Sequence, residues 1–167
     1  MQGINYGKVL FSRFVYSAWE GYKCSVPISR EEKRRILDKL YLCGLEKGEF
    51  PDEIMNYPTK FSKFIEDLTE KSVREYIYSK HSSIVLKFIE DAPERFSEEI
   101  KKNCIVWVCE AINSEEVKHP LGYKLTPKKD FCTFGKGDYV SVHWNYSLEK
   151  VDEDFAKKVN ESIVKLL

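Results

Sequence analysis

Residues 137–159 read GDYVSVHWNYSLEKVDEDFAKKV. Gly137-Asp138 suits a turn. Large side chains then alternate, with Val140, Val142 and Trp144 on one face and Tyr139, Ser141 and His143 on the other, which is the period of a strand. A second strand from about Tyr146 to Lys150 should pair with it. At Val151 the period changes. Asp152 is a good N-cap, Glu153 and Asp154 suit the positive end of a helix dipole, and Phe155, Val159, Ile163 and Leu166 make one apolar helical stripe. The stretch therefore predicts a hairpin tied to a terminal helix, which can cover the open end or edge of a small barrel of short strands.

Upstream, CIVWVCEAI (residues 104–112) is rich in strand formers, and Asn113-Ser114 suits a turn. Short strands are predicted in 116–125 and 129–134, punctuated by Pro120, Gly122 and Pro127. Before Asn103 the pattern is helical. Val9, Leu10, Phe14, Ala18 and Trp19 share a face, Pro27 breaks the run, and Ser29 with Glu32 fits a capping box. Ile36, Leu37, Leu40 and Cys43 continue an apolar face that Gly44 is placed to end. The repeat Phe61, Phe64, Ile65, Leu68 predicts a further helix, followed by others over 72–79, 82–90 and from Pro93 to about Lys102. The expected fold is α+β: a helical domain over 1–102, then a small OB-like β-barrel with a C-terminal helix over 103–167.

Composition narrows the function classes. Lys plus Arg and Asp plus Glu both number 27, so there is no basic surplus of the kind nucleic-acid binders usually carry. The opening MQGINYGKVLF is not a secretory signal, and no apolar run nears the roughly 18 residues that span a bilayer. With five cysteines and no CxxC pair, free thiols in a reducing, cytoplasmic setting are expected, with no membrane association. No Ser/His/Asp order, phosphate-cradling loop or paired-carboxylate motif stands out, so no enzyme activity is expected.

Gly137, Asp138, Tyr139, Val140, Val142 and His143, with Val151, Asp152, Glu153 and Ala156, resemble the C-terminal segment of the HypC/HupF family of nickel–iron hydrogenase maturation chaperones. That resemblance implies a small OB-like barrel with a C-terminal helix. It also implies a non-catalytic accessory role in hydrogenase or related metalloenzyme assembly, exercised through contact with a hydrogenase large subunit or maturation protein. The family's first-strand cysteine handles an iron-ligand precursor. Cys104 in Asn103-Cys104-Ile105-Val106 occupies the corresponding place, although Trp107-Val108-Cys109 stands where the family has Pro-Gly. Cys104 is thus the implied iron ligand, the cofactor being a transient iron centre with cyanide and carbonyl ligands. The whole chain also resembles an uncharacterised family that joins a helical N-terminal part to such a segment. Leu10-Phe11-Ser12-Arg13-Phe14, Gly21-Tyr22-Lys23-Cys24 and His119-Pro120-Leu121 carry that likeness.

Each candidate has a bland alternative. Cys104 could be a thiolate or a buried hydrophobe, and a reactive thiol would need partial exposure and a positive neighbour such as Lys101 or Lys102. His143 reads as a hydrogen-bonding or partner-contact residue near Cys104, or as a histidine satisfied inside the barrel. Trp144 and Tyr139 join Cys104 and His143 as partner-binding candidates. Cys24, Tyr22 and His119 are candidates for an interdomain or second site. Cys109, His119, Cys132 and His143 match no metal-ligand signature. Two other function classes stand beside the chaperone reading. One is an OB-type module that stacks single-stranded nucleic acid on Trp107 or Trp144, aided by Lys124, Lys128, Lys129 and Lys136. The other is a purely structural interaction domain.

Overall fold

The computed structural model describes residues 5–21, 29–55, 61–90 and 94–167. Tyr22 and Cys24 lie outside the described residues. The chain divides into two compact units, Met1–Tyr76 and Ile77–Leu167.

In the first unit, α1 (Tyr6–Gly21) buries Leu10, Phe11, Phe14 and Val15. Phe11 meets Phe50 and Phe61 at ring separations of 4.9 and 5.1 Å, and Tyr76 stands edge-on to Phe14 at 5.7 Å. The start of α2 (Arg30–Lys39) is capped by Ser29, whose Oγ accepts from the Glu32 amide at 3.1 Å. The carboxylate of Glu32 pairs with Arg35.

Two expectations change here. Gly44 does not end the second helix. A π-helical stretch, Leu40–Glu46, carries it on, and Gly44 is buried with the Ser12 side chain standing where a Cβ would project. Close packing against α1, not a left-handed cap, explains that glycine. Beyond the short α3 (Asp52–Met55), the apolar repeat at Phe61–Leu68 is not a helix either. Only Phe61–Lys63 forms a 3-10 turn. Asp67 Oδ1 then takes the Thr69 amide (3.0 Å) and hydroxyl (2.6 Å), and Thr69 caps α4 (Glu70–Glu75). Short polar side chains here bind the backbone locally and divert it from the helix that the apolar spacing suggests.

The second unit begins within a π-helical stretch, Tyr76–Lys80, that runs into α5 (His81–Glu90) and is followed by α6 (Glu94–Asn103). Both helices belong to the unit that holds the sheet. The strands are β1 (Trp107–Ala111), β2 (Val117–Lys118), β3 (Lys124–Leu125), β4 (Tyr139–His143) and β5 (Tyr146–Val151), and α7 (Glu153–Leu166) closes the chain. They form one antiparallel sheet in the order β3-β2-β1-β4-β5. This sheet is open, not a closed barrel. Residues 129–134 do not form the expected strand, and a single parallel bridge, Lys128 to Tyr146, joins the segment after β3 to β5.

One side of the sheet builds a core from Cys109, Ala111, Val117, Phe134, Val140 and Val142. Ser141 and His143, on the opposite face of β4, are buried as well. β4 is thus covered on both faces, as in sheets flanked by helices, so its alternation does not separate core from solvent. Asp152 caps α7 by accepting from the Phe155 amide at 2.8 Å. Ala156, Val159 and Ile163 are buried, whereas Leu166 at the end of the expected stripe is 52% exposed.

Candidate metal centre

The two-residue turn between β4 and β5 sets the geometry. Trp144 (φ 46°) and Asn145 (φ 65°) both lie in the left-handed region, the requirement of the tight hairpin turn whose twist matches its strands. Asn adopts this conformation readily, whereas a bulky tryptophan there is an outlier. Trp144 is therefore a turn residue, not the last inward residue of a strand. Its amide donates to the Asn103 carbonyl at 2.8 Å, which pins the hairpin against the end of α6. Its indole N–H donates to the Cys104 sulfur.

Cys104 itself is not on a strand. It occupies the turn that closes α6, with its amide donating to the Ile100 carbonyl at 2.8 Å, and β1 starts three residues later. Strand-forming composition at 104–106 yields here to the last hydrogen bonds of the preceding helix. The result brings together three side chains from three segments. His81 opens α5, Cys104 follows α6, and His143 ends β4. One ligand atom from each lies within 4.8 Å of the others, and among the described residues this is the one such cluster of His, Cys, Asp and Glu. His81 Nε2 is 3.7 Å from Cys104 Sγ and 2.9 Å from the Cys104 carbonyl, to which it donates. The His81 and His143 rings meet edge to face at 5.6 Å.

Burial sets the protonation of His81 and Cys104, although Cys104 keeps some exposure. Burial holds His81 down to about 4, partly offset by its bond to the Cys104 carbonyl. Burial pushes the Cys104 thiol up to about 12, with the Trp144 hydrogen bond working in the opposite direction. Neither Lys101 nor Lys102 supplies the activating charge that a reactive cysteine would use. Lys101 pairs with Glu98 at 3.5 Å, and Lys102 lies 5.2 Å over the Tyr123 ring. A metal ion would replace the thiol proton and take neutral imidazole nitrogens, so one thiolate and two imidazoles fit a transition metal of intermediate softness.

Cys104 and His143 are thus brought together with Trp144, while the other candidates among the described residues stand elsewhere. Tyr139 begins β4, four residues or about 13 Å along the strand from His143, and is half-buried. His119 is buried in the β2–β3 turn. Its Nδ1 accepts from the Leu121 amide at 3.0 Å and its ring stacks on Tyr123 at 4.3 Å. Cys109 lies in the sheet core and Cys132 packs at its margin.

His81 is the residue the sequence reading missed. It falls in a run of helix-compatible residues with no motif around it, and the one available hint was that the chain has only three histidines. Trp19, Trp107 and Trp144 are all at most 9% exposed, so none offers a free face for stacking on bases. No described helix is long and apolar enough to cross a membrane. In comparisons with protein-family models, curated proteins and solved structures, nothing matches the chain.

Proposed function

We propose that the chain is a non-catalytic accessory protein of nickel–iron hydrogenase, or related metalloenzyme, maturation, working in the cytoplasm. It docks on a hydrogenase large subunit or a maturation protein, and Cys104 with His143 receives a ligand-bearing iron centre for transfer. Two features of the second unit are in keeping with a partly open OB-type barrel: the strand order β3-β2-β1-β4-β5 and the parallel Lys128–Tyr146 bridge. The observation that carries the reading is the meeting of Cys104 and His143, 39 residues apart in the chain, in one cluster of ligand atoms. A thiolate suits iron that bears strong-field ligands, and an imidazole beside it completes a mixed sulfur–nitrogen grip. The resemblance of residues 137–159 to the hydrogenase chaperones supports the same assignment.

The test is an anaerobic pull-down with the tagged full chain against a hydrogenase large subunit and its maturation proteins. Retention of one of them, reduced by Cys104→Ala, is the expected result. Retention of none, or binding indifferent to Cys104→Ala, would remove the assignment and leave a structural interaction domain.

A further inference from the structure

His81 contributes a donor that neither the hairpin nor the cysteine segment supplies. We infer that His81, Cys104 and His143 together form a three-donor site for one divalent ion of the Fe2+–Zn2+ series, leaving a fourth coordination position open. The inference rests on the preceding reading for the roles of Cys104 and His143, and adds His81 from a different helix.

The distances support it. A tetrahedral ion with a sulfur at about 2.3 Å and a nitrogen at about 2.0 Å separates those two donors by about 3.5 Å. His81 Nε2 and Cys104 Sγ already stand 3.7 Å apart. The remaining separations, none above 4.8 Å, exceed a tetrahedral edge by at most about 1.5 Å, a closure that side-chain rotation supplies. The site is also pre-built by the backbone. The π-helical stretch Tyr76–Lys80 ends at His81, and π-turns of this kind commonly occur at functional positions because they re-aim the residues that follow. The left-handed Trp144 keeps the hairpin on Asn103 and points its N–H at the sulfur, an outer contact of the type that steadies a metal-bound thiolate.

Binding requires two proton movements and no redox step. The Cys104 S–H proton passes to solvent as the sulfur takes the metal. The His81 proton, which sits on Nε2 facing the Cys104 carbonyl, moves to Nδ1; this breaks the hydrogen bond to that carbonyl, and the ring turns so that the Nε2 lone pair faces the metal instead. Three protein donors with an open fourth position suit an ion that must still accept a ligand from outside, whereas structural sites of this metal class are closed by four.

The metal-stripped full chain, titrated anaerobically with Co2+ as the spectroscopic substitute, tests the inference. About one equivalent should bind and give a thiolate-to-cobalt charge-transfer band in the near ultraviolet, with visible bands of tetrahedral intensity that Zn2+ abolishes by displacement. Cys104→Ser should remove the charge-transfer band. His81→Gln and His143→Gln should each weaken binding roughly tenfold or more, and His119→Asn should leave it unchanged. Trp144→Phe, a change at a positioning residue, should keep the stoichiometry but shift the band.

Absence of a charge-transfer band in the wild-type chain would overturn the site without recourse to any variant. Wild-type affinity in a His81→Gln protein that keeps its circular dichroism spectrum would reduce the site to the Cys104–His143 pair. No partner protein enters this experiment. Cobalt binding with an empty pull-down therefore sinks the maturation role alone, while a productive pull-down with His81→Gln neutral sinks the third donor alone.

Discussion

His119 makes no contact with a ligand in this account, but its environment has a measurable consequence. Its ring is packed between Tyr123 and Trp107, at 4.3 and 5.2 Å, and burial holds it down to about 4. In the unfolded chain it titrates near 6.5. Between those values the unfolded state binds the extra proton, so the stability contributed by a neutral His119 is present in full above about pH 6.5 and is lost as pH falls towards 4. The denaturation midpoint of the metal-free chain should fall over that interval, with His81, held down to about 4 as well, adding to the fall; His119→Asn, whose side-chain oxygen can still accept from the Leu121 amide, should make the fall smaller without abolishing it. An unchanged pH profile in His119→Asn would show that the ring is not buried in the way described. The residue scale was also where the sequence was most deceptive. His143 carried a recognisable pattern, GDYVSVH, whereas His81 in KHSS carried none. Its place beside Cys104 and His143 comes from where α5 begins, which no local spacing encodes.

Among the elements, α7 and the β4–β5 hairpin were legible because each is specified locally. Asp152 supplies the cap, Val159 and Ile163 the helical stripe, and Val140 and Val142 the strand period. The remainder was not legible, for reasons that lie in tertiary contacts. Residues 104–106 have strand composition, but the Cys104 and Ile105 amides complete the end of α6, and residues 129–134 meet β5 through the Ser147 hydroxyl on the Cys132 carbonyl and the Phe131–Tyr146 stack rather than through a strand ladder. β1 illustrates a contact that composition cannot reveal. Beyond the reach of the short β2, the Val108 amide donates to Asn160 Oδ1 at 3.1 Å and the Val108 carbonyl accepts from Asn160 Nδ2 at 2.9 Å, so one side chain of α7 stands in for a neighbouring strand. Asn160→Leu removes both bonds and strands two backbone groups in a part-buried position. A loss of about 2–3 kcal/mol in chemical denaturation is expected. A loss below about 0.5 kcal/mol would mean that water or another group satisfies Val108.

At the scale of the molecule, helices followed by strands and a terminal helix were legible in the chain, but the pattern suggested a barrel where the sheet is open. A two-residue β2 and a two-residue β3 are too short to carry the ladder round to β5. The candidate centre lies wholly within the unit Ile77–Leu167 and draws on α5, the end of α6 and β4, three pieces that are distant in sequence. An ion bound there would cross-link those pieces and stabilise that unit by an amount that grows with the logarithm of its affinity, because it binds the folded state alone. Zinc K-edge X-ray absorption on the zinc-loaded full chain examines this directly. The expected spectrum has one sulfur at about 2.3 Å and two imidazole nitrogens at about 2.0 Å, with a lighter donor in the fourth place. A first shell of oxygen and nitrogen alone, with no sulfur, would contradict the account.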